Sequence, residues 1–341
     1  MKVDELTPLE ENCAWRGAEI GDDYIVQLSA THVDELDAAL RHAQARTDEL
    51  LDITRDLFPL PTLGPVLRDV TRELIDGRGM VLLRGLPLER YSKEEASTIY
   101  WGVGSYLGQP WPQNAKGHLL GDVMDQGKAI DDPTARGNEL GGIPLPFHSD
   151  GADLVGLFCL DAGAEGGDSL VANVVTMHND LVREAPELAA ALYQPFPYDM
   201  RGEHPPGHRP WYVMPIFTRC RDRLFVRYIR PYIEASTRHA DAPRPSELER
   251  EAMDRLDSMC ADPAYRVDMG LRPGDMQFVN NYHVLHSRAA YRDDPATGRI
   301  RHLKRLWLET DLIDDEHKPE RFRLGGTKSY WSSKGRTKSM L

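Results

Sequence analysis

Residues 155–174 read VGLFCLDAGAEGGDSLVANV, two short apolar runs, VGLFCL and SLVANV, parted by a turn segment with three glycines. Runs of this length, rich in Val, Leu and Phe and bounded by Gly and Asp, read as strands. The same texture sets in after Gly108 and recurs in HLLGDVM (118–124), WYVMPIF (211–217), LFVRYI (224–229), YRVDMGL (265–271), DMQFVNN (275–281) and HLKRLWLE (302–309). Many short strands with frequent turn signals argue for a sandwich or barrel rather than a doubly wound sheet. Two helices are expected to interrupt them, one from Thr176 to Tyr193 and one from Ser246 to Met259.

Upstream the pattern is helical. Residues 34–57 place Leu36, Leu40, Ala43, Leu50, Ile53 and Leu57 near helical spacing with no Gly or Pro, which predicts one long amphipathic helix. A second helix is expected over Pro65–Ile75, ended by Asp76-Gly77, followed by a short strand, Met80–Arg84. Ser92-Lys-Glu-Glu95 reads as a capping box opening a third helix to about Leu107. The chain thus divides into a helical region (1–78), a β-rich region (79–312) and a tail (313–341), within one domain overall of β-rich α+β class. The tail carries Lys328, Lys334, Arg336 and Lys338 and reads as a solvated end.

With 41% hydrophobic and 28% charged residues, 28 Gly and 24 Pro among 341, the composition is that of a globular protein and excludes disordered and fibrous classes. The net charge is −13. A duplex-binding surface needs excess cations to neutralise phosphates, so no nucleic acid is expected as a partner. No apolar run reaches the roughly 18 residues that span a bilayer. The N-terminal MKVDELTPLEEN is too acidic for a secretory signal, and no membrane partner is expected. Cys13, Cys159, Cys220 and Cys260 form no C-x-x-C pair, which reads as reduced thiols. The expectation is a cytoplasmic protein; homo-oligomerisation is left open.

PFHSDG (146–151) places His148 and Asp150 two apart, on one face if the segment is extended, where both can grip one metal ion. Four H-x-D triplets occur, at His32, His148, His178 and His239, so at least three are expected to be coincidental. Only His148 precedes a clear strand run and follows a Gly/Pro-rich loop, GNELGGIPLP, able to rim a site. PGDMQFVNNYHVLHSR (273–288) then offers a third ligand, His283 or His286. In RHLKRLWL (301–308) Arg301 and Arg305 lie four apart and point to one side of a strand. An inward arginine needs an anion, either a buried acid or the carboxylate of a bound small molecule. Two His and one carboxylate leave open positions suited to non-haem Fe(II) oxygen chemistry. With a keto diacid co-substrate, Arg305 is the expected anion holder.

From about Gly79 to Glu309 the chain resembles the TauD/TfdA family of Fe(II)- and 2-oxoglutarate-dependent oxygenases, through VLLRGLP, LGQPWPQNAKGHLLGDV, PFHSDG, GGDS, RPGDMQFVNN, LHSR and RHLKRLWLE in the family's order. The resemblance implies a double-stranded β-helix (jelly roll, cupin-like) with flanking helices. It assigns Fe(II) to His148, Asp150 and His286, the last because LHSR matches the motif. It makes Arg305 the partner of the distal 2-oxoglutarate carboxylate and Arg301 a neighbour of the C1 end, with Ser169 at a position usually Thr. Asn114 is carried over as a substrate-binding residue; Arg227 is read as one from the composition of the segment around it. The implied reaction consumes O2, releases succinate and CO2, and hydroxylates a C–H bond of a small-molecule substrate; Asp150, in place of a small residue, argues against halogenation. Desaturation, epoxidation or ring closure share the same cofactor chemistry. A catalytically inactive jelly-roll binding protein and a zinc-dependent hydrolase are the readings of another class. The 125–146 loop reads as a lid or as plain surface, and the Arg- and aromatic-rich 198–232 segment either as a wall for an acidic or aromatic substrate or as arginines in surface salt bridges to the excess of Asp and Glu.

Overall fold

The computed structural model describes residues 2–10, 13–114, 116–128, 132, 135–313, 318, 319 and 322. The basic tail residues Lys328, Lys334, Arg336 and Lys338 lie outside them, as does part of the 125–146 loop. Among the described residues no helix is long and apolar enough to cross a membrane.

Strand β1 (Ile25–Gln27) precedes helix α1 (Ala30–Gln44). Ser29 caps α1 by accepting a hydrogen bond from the His32 N–H, and Val33, Leu36, Ala39, Leu40 and Ala43 form its buried stripe. The expected long helix stops at Gln44. Thr47 Oγ1 accepts from the Glu49 N–H and donates to Asp52, local bonds that compete with the helical ladder, and only a short 3-10 turn, Leu50–Asp52, follows. Helix α2 (Leu63–Asp76), strand β2 (Met80–Arg84) and helix α3 (Lys93–Leu107) form where the sequence predicts, α3 with the reciprocal Ser92/Glu95 box.

Beyond Gly108 come β3 (Gln109–Pro110), β4 (Leu120–Val123), β5 (Leu145–His148), β6 (Leu154–Asp161), β7 (Glu165–Gly166) and β8 (Ser169–Asn173). Asn173 caps α4 (Val174–Glu184), and α5 (Pro186–Leu192) follows. The expected single helix over 176–193 is therefore two, because Pro186 excludes helical geometry at Ala185. Strands β9 (Pro195–Asp199), β10 (Trp211–Pro215), β11 (Phe217–Cys220) and β12 (Arg223–Val226) make two separate antiparallel pairs, and WYVMPIF is divided between them. Helices α6 (Arg230–Ala235) and α7 (Glu247–Ala261) lead to β13 (Arg266–Met269), β14 (Met276–Asn280), β15 (Val284–Arg288), β16 (Tyr291–Arg292) and β17 (His302–Glu309).

The result is a mixed α and β fold. A large sheet runs β1-β2-β14-β6-β17-β3 with β4 also on β17, and a four-stranded sheet runs β13-β8-β15-β5. Successive strands pass from one sheet to the other: β4 and β6 lie in the large sheet with β5 between them in the small one, and β14 and β17 flank β15 in the same way. The helical N-terminal region is not separate from this core, since β1 pairs in parallel with β2 at the sheet edge. At the centre Tyr100, Phe158 and Phe278 are fully buried, with ring centroids 5.1 and 6.0 Å apart from Tyr100 to each phenylalanine. Burial of each such ring is worth about 1.5–3 kcal/mol.

Gly156 faces this cluster, opposite Phe278 in β14 and Leu306 in β17. A methyl group there would sit 2.7 Å from the Phe278 ring and against the Tyr100 hydroxyl. Gly156→Ala is accordingly expected to cost about 1–3 kcal/mol through overpacking, read as a lower denaturation midpoint in urea. A midpoint equal to that of the parent would mean that the cluster packs otherwise.

Candidate metal centre and cavity

Register brings the two candidate histidines together. His286 of β15 stands directly opposite His148 of β5, and their ring centroids are 4.4 Å apart. Asp150 follows β5 by two residues, with its backbone N–H donating to Asn281 Oδ1. One ligand atom from each of His148, Asp150 and His286 lies within 4.8 Å of the others. His148 Nε2 is 4.0 Å from Asp150 Oδ1, and His286 Nε2 is 3.8 Å from Asp150 Oδ2. His148 Nδ1 is 2.9 Å from the Pro146 carbonyl, which fixes Nδ1 as the protonated nitrogen and turns the Nε2 lone pair toward the carboxylate. His286 Nδ1 is buried without a partner.

The electrostatics suit a cation. Burial pushes the His286 imidazole down to about 3 and lowers His148 as well, so both rings are neutral ligands. Burial pushes the Asp150 carboxyl up, but Arg305 foremost, with the histidines and the Trp307 N–H, outweighs it and holds the group below the usual carboxylate range. Since the rings are neutral, Arg305 is the cation that keeps Asp150 ionised. Its Nη1 is 3.2 Å from Asp150 Oδ2, and Trp307 Nε1 donates to the same oxygen at 2.9 Å. Two neutral imidazoles and an ionised carboxylate form a donor set that fits Fe(II).

The triad opens into a cavity of about 810 Å³ lined by strands of both sheets and by the β10 and β12–α6 segments. Arg301, Leu303, Arg305 and Trp307 all face it, as alternation along β17 requires. Arg305 Nε donates to Gln113 Oε1 at 2.8 Å, so its guanidinium is already engaged on two sides. Arg301 differs: it is buried, Nη2 donates to the Gly167 carbonyl at 3.2 Å, and Nη1 has no partner. Gly167, at φ +81°, is what admits it, since a Cβ there would meet Arg301 Nε at 2.7 Å. Arg288 is buried too, with Nε and Nη1 unpaired, and shares the faces of Tyr291 with Arg301, their guanidinium carbons 4.7 and 5.2 Å from the ring centroid. Burial and then Arg301 push Arg288 down to about 10, and burial lowers Arg301. Unpaired buried guanidinium N–H groups are donors that an anionic ligand would satisfy.

Other expected residues fall as follows. Ser169 lines the cavity and donates to Gln277 Oε1 at 2.9 Å. Arg227 lines it as well. Asn114 reaches the cavity, but its Oδ1 accepts from the Lys116 and His118 N–H groups and its Nδ2 lies 3.1 Å from His118 Nδ1, so it holds its own loop. His283 is buried in the core beside Asn280, away from the triad. The other three triplets are structural: His32 sits in the first turn of α1, His178 bonds Tyr193, and His239 bonds Asp199. Sequence reasoning gave no role to Gln113, Trp307 or Arg288, although Trp307 and Arg288 each stand two residues from a chosen one on the same strand face.

This fold and donor set define a non-haem iron oxygenase of the two-histidine, one-carboxylate class. Residues 24–307 match the taurine catabolism dioxygenase TauD, TfdA family, and the chain belongs to it. It is 33% identical over 312 residues to the FR-33289 synthase of Streptomyces rubellomurinus, covering 89% of this chain and 91% of that one. Its fold is similar to that of an asparagine oxygenase solved with Fe(II), 3-hydroxyasparagine and succinate, at TM-score 0.66 and 18% identity over 84% of this chain and 93% of that one. It is also similar to the non-heme iron oxygenase OrfP solved with Fe and alpha-ketoglutaric acid, at TM-score 0.64 and 18% identity over 84% and 95% of the two chains. The protein is an Fe(II)- and 2-oxoglutarate-dependent dioxygenase.

Proposed function

We propose that the protein hydroxylates a small-molecule intermediate of a biosynthetic pathway, with His148, Asp150 and His286 holding Fe(II) and Arg301 holding 2-oxoglutarate. The observation that carries this reading is the cross-strand pair His148/His286 closed by Asp150. The name of the FR-33289 synthase supports the biosynthetic setting. When bound, iron and 2-oxoglutarate supply the oxidation: O2 is consumed, the keto acid leaves as succinate and CO2, and one oxygen atom enters the substrate.

The chain's own residues then divide the work. Pro146 sets the tautomer of His148. Arg305 and Trp307 occupy Asp150 Oδ2 and orient the carboxylate. Arg301, with its unpaired Nη1 and with Arg288 beside it, receives the distal carboxylate, and the Ser169 hydroxyl serves the same end of the co-substrate. Arg305 stands next to the metal-binding end. These roles reverse the two arginine assignments expected from the resemblance. The passage of successive strands between the sheets supports reading the core as a double-stranded β-helix, and a hydrophobic cluster reaching from Leu9 to Phe322 supports one catalytic domain. Cys13, Cys159, Cys220 and Cys260 are free thiols, in keeping with a reducing, cytoplasmic setting.

The test is incubation with Fe(II), 2-oxoglutarate and isotopically labelled O2 across a panel of small acids and amino acids, with mass analysis. The expected result is 2-oxoglutarate-dependent succinate release and a product heavier by one labelled oxygen. A product lighter by two hydrogens would instead assign desaturation or ring closure, and absence of succinate under all conditions would overturn the reading.

A further inference from the structure

The cavity wall is cationic in an acidic protein. Six arginines line it against three carboxylates, although the chain as a whole carries −13. Each carboxylate has its cation: Asp150 has Arg305, Glu203 has Arg136, and Asp199 is held by Arg238 and His239 from outside the cavity. Arg288 and Arg301 are accounted for by the co-substrate. Arg201 and Arg227 are left over, and among the described residues neither has a carboxylate within ion-pair distance.

Both are held in place without being neutralised. Arg227 Nη1 donates to the carbonyls of Asp150 at 2.7 Å and Ser149 at 3.2 Å, while Nε and Nη2 reach the Tyr212 hydroxyl at 3.4 and 3.2 Å. Carbonyls and a phenol fix a guanidinium without an ion pair, and the Asp150 carboxylate, already paired with Arg305, acts on Arg227 only from beyond ion-pair distance. Arg201 donates from Nη2 to the Ala135 carbonyl, its Nε is buried and unpaired, and its guanidinium lies 5.5 Å from the Tyr232 ring centroid. Its backbone is in the left-handed region at φ 53°, with the N–H bonded to Asp199 Oδ1 at 2.6 Å, so a built turn presents this side chain. The Tyr232 phenol marks the point of convergence: burial raises it, and Arg136, Arg201 and Arg227 each pull it back down.

We propose that Arg201 and Arg227, with the Tyr212 and Tyr232 rings, form a subsite for an oxyanion head group of the organic substrate, distinct from the arginines that take 2-oxoglutarate. The chemistry is shared by phosphonate, phosphate, sulfonate and carboxylate, all of which a guanidinium binds in bidentate fashion. Because Arg227 is bonded to the Asp150 backbone, a head group held there leaves the reacting carbon only a few bonds from the anion. This deepens the reading of the site given above and rests on it.

The test is anaerobic calorimetric titration of the protein loaded with Fe(II) and saturating 2-oxoglutarate, using propylphosphonate, butyrate and uncharged butyramide as probes. The expected result is binding of the two anions, weakened by added salt, and none of butyramide. Arg201→Gln should weaken propylphosphonate by about tenfold or more, the usual loss for a charge-assisted hydrogen bond, with 2-oxoglutarate affinity unchanged, and Arg201→Lys should recover part of it. Equal binding of amide and anion, or a Gln variant that binds like the parent, would overturn the subsite. A Gln variant that loses 2-oxoglutarate together with the phosphonate would overturn it too, by placing Arg201 in the co-substrate site. Binding of 2-oxoglutarate without phosphonate sinks this proposal alone, whereas Arg201-dependent phosphonate binding without any 2-oxoglutarate binding sinks the proposed function and leaves the subsite standing.

Discussion

A His286→Ala variant is expected to fall to the turnover of metal-free protein, while His283→Ala keeps turnover and loses stability instead. The two residues are three apart on one short segment, yet they do different work. His286 stands opposite His148 with Nε2 3.8 Å from Asp150, so on the proposed assignment its removal takes away one of three ligands and leaves the site open to water. His283 is buried with its Nδ1 3.3 Å from Asn280 Nδ2, and burial pushes its imidazole down to about 3, so it is a neutral core group. Its truncation leaves a small cavity and strands a polar neighbour, at about 1–3 kcal/mol. The measurement is Fe(II) retained per chain after anaerobic desalting, together with the visible band that forms when 2-oxoglutarate chelates the iron, set beside urea denaturation of each variant. Iron and band surviving in His286→Ala but not in His283→Ala would overturn the assignment.

The triad was legible in the sequence because H-x-D on a strand is a statement about one face of one element. Spacing left the third member open between His283 and His286, and only the resemblance of LHSR to the family's motif chose His286. The arginines were less legible. Spacing placed Arg301 and Arg305 on the same face of β17, which holds, but four residues along a strand is about 13 Å, and which end of that interval lies at the metal depends on the cross-strand register with β4 and β6. Arg305 is opposite Gly121 and Leu157, which sets it beside Asp150 and Gln113. Helices show the same division. The Ser92 box and the Asp76-Gly77 stop are local signals and fell where they were read, whereas the end of α1 at Gln44 was decided by Thr47 and Asp52 bonding within a loop whose apolar residues kept helical spacing. The parallel pairing of β1 with β2 joins residues 25–27 to residues 82–84, and three residues carry too little periodicity to announce it.

The two arginines should therefore respond to neutralisation with opposite signs. Arg301→Met removes a buried cation that has no carboxylate within ion-pair distance among the described residues and that also presses on Arg288. The substitution is nearly volume-conserving, so the apo-protein should become equally or more stable. The same change should weaken 2-oxoglutarate by about 10-fold to 150-fold, corresponding to roughly 1.5–3 kcal/mol for a charge-assisted hydrogen bond, and shrink the rise in melting temperature that a fixed concentration of the co-substrate confers on the parent. Arg305→Met takes the cation from Asp150, which keeps only the Trp307 N–H on Oδ2, and leaves Gln113 Oε1 without its donor in a buried site, so its apo-protein should lose stability, and the Asp150 carboxyl should climb toward the neutral form and weaken Fe(II) binding. Melting curves of both variants with and without 2-oxoglutarate, and Fe(II) affinities measured anaerobically, separate the cases. If Arg305→Met were to abolish the 2-oxoglutarate response while sparing iron, and Arg301→Met were to leave that response intact, the distal carboxylate would belong to Arg305, and the buried Arg301–Arg288 pair would need another anion to account for its unpaired N–H groups.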